Sequence, residues 1–173
     1  ALYHQSTIDK LFTDALSLTL GIRYDWEQAH TDYKAYRSMN DTTGMTDSFK
    51  SKLTFRQLTP KATLQYTFSG SQLLYTTVSK GYKSGGFNTS FERDEDRSFE
   101  PEYSWNYELG GHFSCMEGAV RGDFALFYID CRDQQLTIFP EGTTTGRMMT
   151  NAGRTRSFGG ELSLQVSPWQ NLD

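Results

Sequence analysis

Cysteine is scarce: only Cys115 and Cys131 occur in 173 residues, so the chain is not a disulfide-stapled scaffold. Proline is limited to four residues, and no Pro/Ser-rich linker or low-complexity tract divides the chain into two domains. No apolar run approaches the roughly 20 residues that a membrane helix needs. A basic excess is also missing. The net charge is −4 and the pI about 5.4, which disfavours a nucleic-acid partner because phosphate binding needs a concentrated basic surface. The first residues, Ala1-Leu2-Tyr3-His4, show no signal peptide. His4, His30 and His112 lack paired zinc-ligand spacing. There is no nucleophile elbow, no Ser/His/Asp arrangement and no carboxylate pair at fixed spacing. We therefore expect no catalytic residues, no metal site, no cofactor and no enzymatic activity.

What the chain has in plenty is aromatics, with 12 Phe, 10 Tyr and 3 Trp, and alternation with a period of two, which marks strands with unlike faces. Leu16, Leu18, Leu20, Ile22, Tyr24 and Trp26 share one face; Ser17, Thr19, Gly21, Arg23 and Asp25 share the other. That run matches the roughly 9–11 residues with which a tilted strand crosses a bilayer. Ala62, Leu64, Tyr66 and Phe68 oppose Lys61, Thr63, Gln65 and Thr67, and Trp105, Tyr107, Leu109, Gly111 and Phe113 oppose Asn106, Glu108, Gly110 and His112. Phe158, Gly160, Leu162, Leu164 and Val166 oppose Gly159, Glu161, Ser163 and Gln165. The mean hydropathy of −0.61 does not contradict a membrane wall, because the two faces average out.

The connections carry a second rhythm. Ser69-Gly70-Ser71, Glu117-Gly118 and Ser167-Pro168-Trp169-Gln170 are tight, whereas 27–48, 85–100 and 140–149 are long and polar. Short and long alternate, as in a barrel with short turns at one rim and long loops at the other. Six complete strands are expected, near 15–26, 50–68, 72–84, 102–115, 119–139 and 150–167. Leu2–Ile8 forms one terminal stub and Leu172-Asp173 another. The fold class is all-β: an antiparallel up-and-down meander forming part of a large transmembrane β-barrel, incomplete at both ends. Tyr24, Trp26, Tyr103, Trp105 and Trp169 fall at strand ends, where aromatic girdles sit. A soluble β-sandwich or a passive porin-like barrel is the competing reading.

Several segments resemble the barrel of TonB-dependent receptors. They are LTLGIRYD at 18–25, LTPKATLQY at 58–66, LYTTVSKGYKSGGFN at 74–88, FEPEYSWNYELG at 99–110, ALFYID at 125–130, and NAG at 151–153 followed by GGEL at 159–162. Their order and spacing also match that family. The resemblance implies a Gram-negative outer-membrane receptor with about 22 strands around a plug. It further implies energisation by a TonB-type partner through that plug, which nothing in 1–173 matches, and a ferric siderophore or other iron chelate as cargo.

Candidate site residues follow from both readings. Tyr82, Phe87, Phe91, Arg93 and Arg97 fall in one expected outside loop, where arginine and aromatic rings suit a flat anionic chelate. Glu92, Asp94, Glu95 and Asp96 lie in the same loop and oppose an anion, so a solvated loop face is the alternative. Arg23, Glu108 and Glu161, on polar faces, are expected to point into the lumen. The run Lys80-Gly81-Tyr82-Lys83-Ser84-Gly85-Gly86 lacks the following helix of a phosphate loop, and the acidic run lacks EF-hand spacing. Cys115 and Cys131 are expected to be free thiols. If Glu117-Gly118 closes the hairpin, Cys115 faces Val120, and the sulfurs lie roughly 36 Å apart along the strand, far beyond disulfide reach.

Overall fold

A computed structural model describes residues 1–39, 42–140 and 146–167. The strands in chain order are β1 (Leu2–Ile8), β2 (Leu16–Met39), β3 (Thr42–Ser69), β4 (Gln72–Lys83), β5 (Gly86–Phe87), β6 (Ser98–Phe99), β7 (Glu102–Cys115), β8 (Val120–Arg132), β9 (Gln135–Ile138), β10 (Met148–Asn151) and β11 (Arg154–Val166). Seven of them form one sheet in the order β1-β2-β3-β4-β7-β8-β11, every neighbour antiparallel. The short β5–β6 and β9–β10 ribbons belong to the long connections. The expected meander is therefore present. The expected stub at Leu172-Asp173, the turn 168–170 and the girdle residue Trp169 lie outside the described residues.

Residues directly opposite one another share a face, so the register joins the alternating runs into two continuous surfaces. Leu20 faces Ala62, Ala62 faces Val78, Val78 faces Tyr107, Tyr107 faces Tyr128, and Tyr128 faces Phe158. On the other surface Thr19 faces Thr63 and Thr63 faces Thr77, the last pair joined at 2.9 Å. β1 breaks the pattern by placing His4 and Ser6 on the apolar surface, opposite Ile22 and Leu20.

The sheet is a single layer. Among the described residues the only buried hydrophobic side chains are Cys131 and Met148, while Leu126 is 55% exposed, Leu162 68% and Phe158 83%. A sandwich covers its apolar faces with a second sheet; among the described residues nothing does. A water-soluble domain rarely leaves so large an apolar surface bare, and a bilayer is the solvent in which it costs nothing. The soluble-sandwich alternative fails on this point.

The turns keep the expected rhythm. One rim carries the connections 9–15, 70–71 and 116–119. The other carries the β2–β3 hairpin and the long connections that contain β5–β6 and β9–β10. Glu117 and Gly118 both adopt positive φ, +55° and +92°, and the Ala119 N–H donates to the Met116 carbonyl at 3.0 Å. This is the mirror-image turn that matches strand twist. Cys115 pairs with Val120 as expected, and both cysteines are free.

Strand lengths differ from expectation. β2 and β3 run for 24 and 28 residues, so the segment 27–48, expected as a loop, is mostly a ladder extending roughly 40 Å beyond Trp26 at about 3.3 Å per residue. Polar and charged residues fall on both of its faces, Glu27 and Thr31 on one and His30, Asp32 and Lys34 on the other, so the hydropathy alternation weakens while backbone pairing continues. Lys50 bonds Asp32 directly opposite at 2.9 Å, and that hydrogen bond holds the Asp32 carboxyl below its ordinary value. The strand expected over 119–139 breaks at Asp133, which takes φ +54°, and resumes as β9. The one expected from 150 is split between β10 and β11 around Gly153, φ +48°.

Glycines on the wall admit large neighbours. A Cβ on Gly110 would lie 2.5 Å from Tyr75 Oη and one on Gly111 2.7 Å from the Phe124 ring. The aromatic rings fill what the glycines leave open, one on each face.

Candidate functional site

The long-loop rim is built by amide side chains that stitch separate connections together over the polar face. Asn88, only 4% exposed, donates from Nδ2 to the carbonyls of Asp96 and Met149, both at 2.8 Å. Its Oδ1 accepts the Met149 N–H at 2.7 Å. Asn151 does the same for another pair: Nδ2 donates to the carbonyls of Glu100 (2.9 Å) and Asp133 (2.8 Å), and Oδ1 accepts the Glu100 N–H at 2.8 Å. Gln135, also buried, donates from Nε2 to Ser84 O at 2.8 Å and Glu100 O at 3.1 Å, and Glu102 Oε2 accepts its backbone N–H at 2.8 Å. Irregular backbone needs partners for its N–H and C=O groups, and these three amides supply them. The amides therefore tie the connections to one another in a collar, and through Glu102 to the start of β7.

On this collar an aromatic cluster gathers around one arginine. Tyr33 of β2 and Phe49 of β3 face each other on the polar surface with ring centroids 5.1 Å apart. Phe91, from the segment between β5 and β6, meets both at 5.7 Å, nearly edge-on to Phe49. The Arg97 guanidinium lies 4.7 Å from the Phe49 centroid and 5.1 Å from that of Phe91, within cation–π range. Its Nη2 contacts Asp94 Oδ1 at 2.9 Å and Asp47 Oδ1 at 3.4 Å. Arg97 Nε is buried without a hydrogen-bond partner. Beside the cluster lies a cavity of about 370 Å³ lined by Tyr33, Asp47, Thr89, Ser90, Phe91, Pro140 and Gly146. A larger hollow of about 590 Å³ is lined by residues such as Tyr75, His112, Asp123 and Glu161. It sits in the strands, away from the loops, and is bare wall.

The structure distributes the expected residues unequally. Arg97 and Phe91 are in the cluster. Arg93 is not: its side chain is exposed and tied to Asp96 at 3.1 Å and Glu95 at 2.6 Å. The hydrogen bond it donates to Asp96, then the charges of Asp96 and Glu95, raise its guanidinium above the ordinary value. Phe87 sits in β5 opposite Ser98. Tyr82 is in β4 rather than in a loop, opposite Tyr103 with ring centroids 5.9 Å apart. The acidic run is largely spent on these two arginines.

Arg23, Glu108 and Glu161 all fall on the polar face. Arg23 grips the buried Asp25 through Nε at 2.8 Å and Nη2 at 2.7 Å. Glu108 accepts a 2.7 Å bond from Tyr75 Oη, and Glu161 faces Ala125 and stays exposed. The loops fold over this same face, because Phe91 packs on Tyr33 and Phe49. The polar face is thus the side on which the loop cluster lies. Tyr33, Asp47 and Phe49 were not anticipated, since they lie in or beside the segment expected to be loop; aromatic residues alternating with polar ones over 31–36 and 47–55 were the available signal. Asn88 and Gln135 carried no such signal. Among the described residues no group of three or more His, Cys, Asp or Glu is placed to hold a metal ion.

The family model described as "TonB dependent receptor-like, beta-barrel" matches residues 1–173. The pesticin receptor of Yersinia enterocolitica serotype O:8 is 28% identical over 151 residues, covering 87% of this chain and 21% of the relative; that of Yersinia pestis has the same figures. The crystal structure of the ferric yersiniabactin uptake receptor FyuA from Yersinia pestis superposes with a TM-score of 0.74 at 26% identity, over 97% of this chain and 24% of that one. The copper transporter OprC, at 13% identity and TM-score 0.68, shares the fold. The chain thus spans roughly a fifth to a quarter of the length of these relatives.

Proposed function

The chain belongs to the TonB-dependent receptor β-barrel family, and from that premise we propose that it is barrel wall of a Gram-negative outer-membrane receptor that imports a ferric siderophore or similar iron chelate. Uptake is energised by a TonB-type partner acting through a plug domain. The observation that carries the cargo reading is the cluster of Tyr33, Phe49, Phe91 and Arg97 over the inner face. Its rings offer faces and edges to a flat ligand. Arg97 holds its donors in a sheltered setting, where charge-assisted bonds to a chelate's carboxylates or phenolates are stronger than in open water. Asp47 and Asp94 hold the guanidinium in place until cargo arrives. The similarity to a ferric yersiniabactin uptake receptor and to pesticin receptors supports this chemistry. Arg93 and Phe87 act in the rim of the loop, and Arg23, Glu108 and Glu161 line the passage.

Growth of a deletion strain on single iron sources tests the reading. Complementation with the full-length receptor should restore growth on one chelate, and Arg97→Gln or Phe91→Ala should weaken it. Growth unchanged on every iron source defeats the iron reading, and uptake that persists without the energising partner makes the barrel passive.

A further inference from the structure

The outer, apolar surface ends in a cation cluster at the long-loop rim. Asp130 of β8 lies on this face, opposite Trp105 of β7 and Arg156 of β11; one step beyond, Arg132 stands opposite Tyr103 and Arg154. Three guanidinium groups therefore surround one carboxylate. Arg154 grips Asp130 with two hydrogen bonds, Nη2 to Oδ2 at 2.6 Å, while the Nε atoms of Arg132 and Arg156 stand off at 3.9 Å. Asp130 has a side chain only 10% exposed, against 63% for Arg132 and 57% for Arg156. One carboxylate draws three guanidinium groups, and only Arg154 is hydrogen-bonded to it. Lys80, whose ammonium lies 5.0 Å from the Tyr103 ring centroid, adds a further cation on the same face, opposite Trp105.

The chain as a whole is acidic, at −4, so a local excess of cations needs a reason. On an outward surface, immediately past Tyr128, Trp105 and Phe158, the groups at that depth are lipid headgroups. A protein ligand would have to reach through the lipid, and cargo travels on the other face. We propose that Arg132, Arg154 and Arg156 bind the phosphate of an outer-leaflet glycolipid, with Asp130 pre-orienting the guanidinium planes. Arginine forks match phosphate oxygens in pairs, and the aromatic girdle receives the acyl–headgroup boundary. The inference rests on the barrel reading given above.

The test uses the full-length receptor and the variant R132Q/R156Q, which leaves the Arg154–Asp130 pair intact and so strands no buried charge. Native mass spectrometry in detergent measures retention of bis-phosphorylated lipid A, its dephosphorylated counterpart and inorganic phosphate. Binding of the phosphorylated lipid should weaken about tenfold or more in the variant, a loss expected when two charge-assisted contacts disappear. The dephosphorylated lipid should bind poorly to both proteins, and inorganic phosphate should not displace the lipid. Equal lipid retention by both proteins overturns the proposal, as does binding of inorganic phosphate as tight as that of the lipid. A gel of boiled and unboiled samples separates the two readings. If neither protein shifts on boiling, the barrel reading fails; if both shift and lipid retention is equal, only the lipid site fails.

Discussion

Replacing Asn88 with alanine should open the loop collar without unfolding the wall. The side chain makes three hydrogen bonds of 2.7–2.8 Å, to Asp96 O, Met149 O and Met149 N–H. Each contributes about 1 kcal/mol net, and a buried partner left unsatisfied costs about as much again or more. With the site 4% exposed, the collar should lose about 3 kcal/mol of local stability, which is about a hundredfold in its opening equilibrium. Asn88 also donates its backbone N–H to Arg97 O at 2.9 Å, so the loss reaches the arginine that holds the aromatic cluster. Hydrogen exchange of the full-length receptor in lipid measures this directly. Protection of the Met149 amide should fall about a hundredfold, while amides paired within β7 and β8 keep theirs. Unchanged protection at Met149 refutes the role assigned to Asn88, and a uniform loss across the sheet refutes the separation of collar from wall.

Other perturbations probe the wall and its extension. Gly110→Ala places a methyl 2.5 Å from Tyr75 Oη, displaces that ring from Glu108, and should cost about 1–3 kcal/mol in urea unfolding from vesicles; Tyr75→Phe should cost about 1 kcal/mol. The Asp32 carboxyl, held low by Lys50, should titrate below its ordinary value by NMR. A depressed carboxylate stabilises the hairpin above that ordinary value, and its contribution disappears as pH falls through the lowered one. Lys50→Met should return the titration to normal. Cys115, exposed, should react with a maleimide far faster than buried Cys131, and mass spectrometry of the unreduced protein should show no bond between them.

What could be read from residues alone follows the environment each strand occupies. From Leu16 to Trp26 one face is apolar and the other polar, and the alternation is plain. From Glu27 onward polar and charged residues fall on both faces, so the same strand continues through Tyr33 and Ala35 with only a weak hydropathic sign. Tyr33 and Phe49 could not be joined to Phe91 and Arg97 without that register, which is why only half the cluster was foreseen. The amide staples were invisible for another reason. Asn88 and Gln135 bond to backbone carbonyls 61 and 51 residues away, and a backbone acceptor leaves no trace in composition. Asn151 lies in one of the strings that resemble the family, and its hydrogen bonds to Glu100 and Asp133 give it a physical purpose. The polar-face placement of Arg23, Glu108 and Glu161 was legible because period-two alternation fixes a side chain's face once the strand is known.

Adjacent residues report most directly on whether this sheet separates lipid from lumen. Spin labels placed singly at Leu126, Phe127, Leu162 and Ser163 of the full-length receptor in bilayers can be challenged with oxygen and with an aqueous nickel chelate. Positions 126 and 162 should respond to oxygen and positions 127 and 163 to nickel, in step across β8 and β11. Equal responses at neighbouring positions, or the opposite phase, contradict the account.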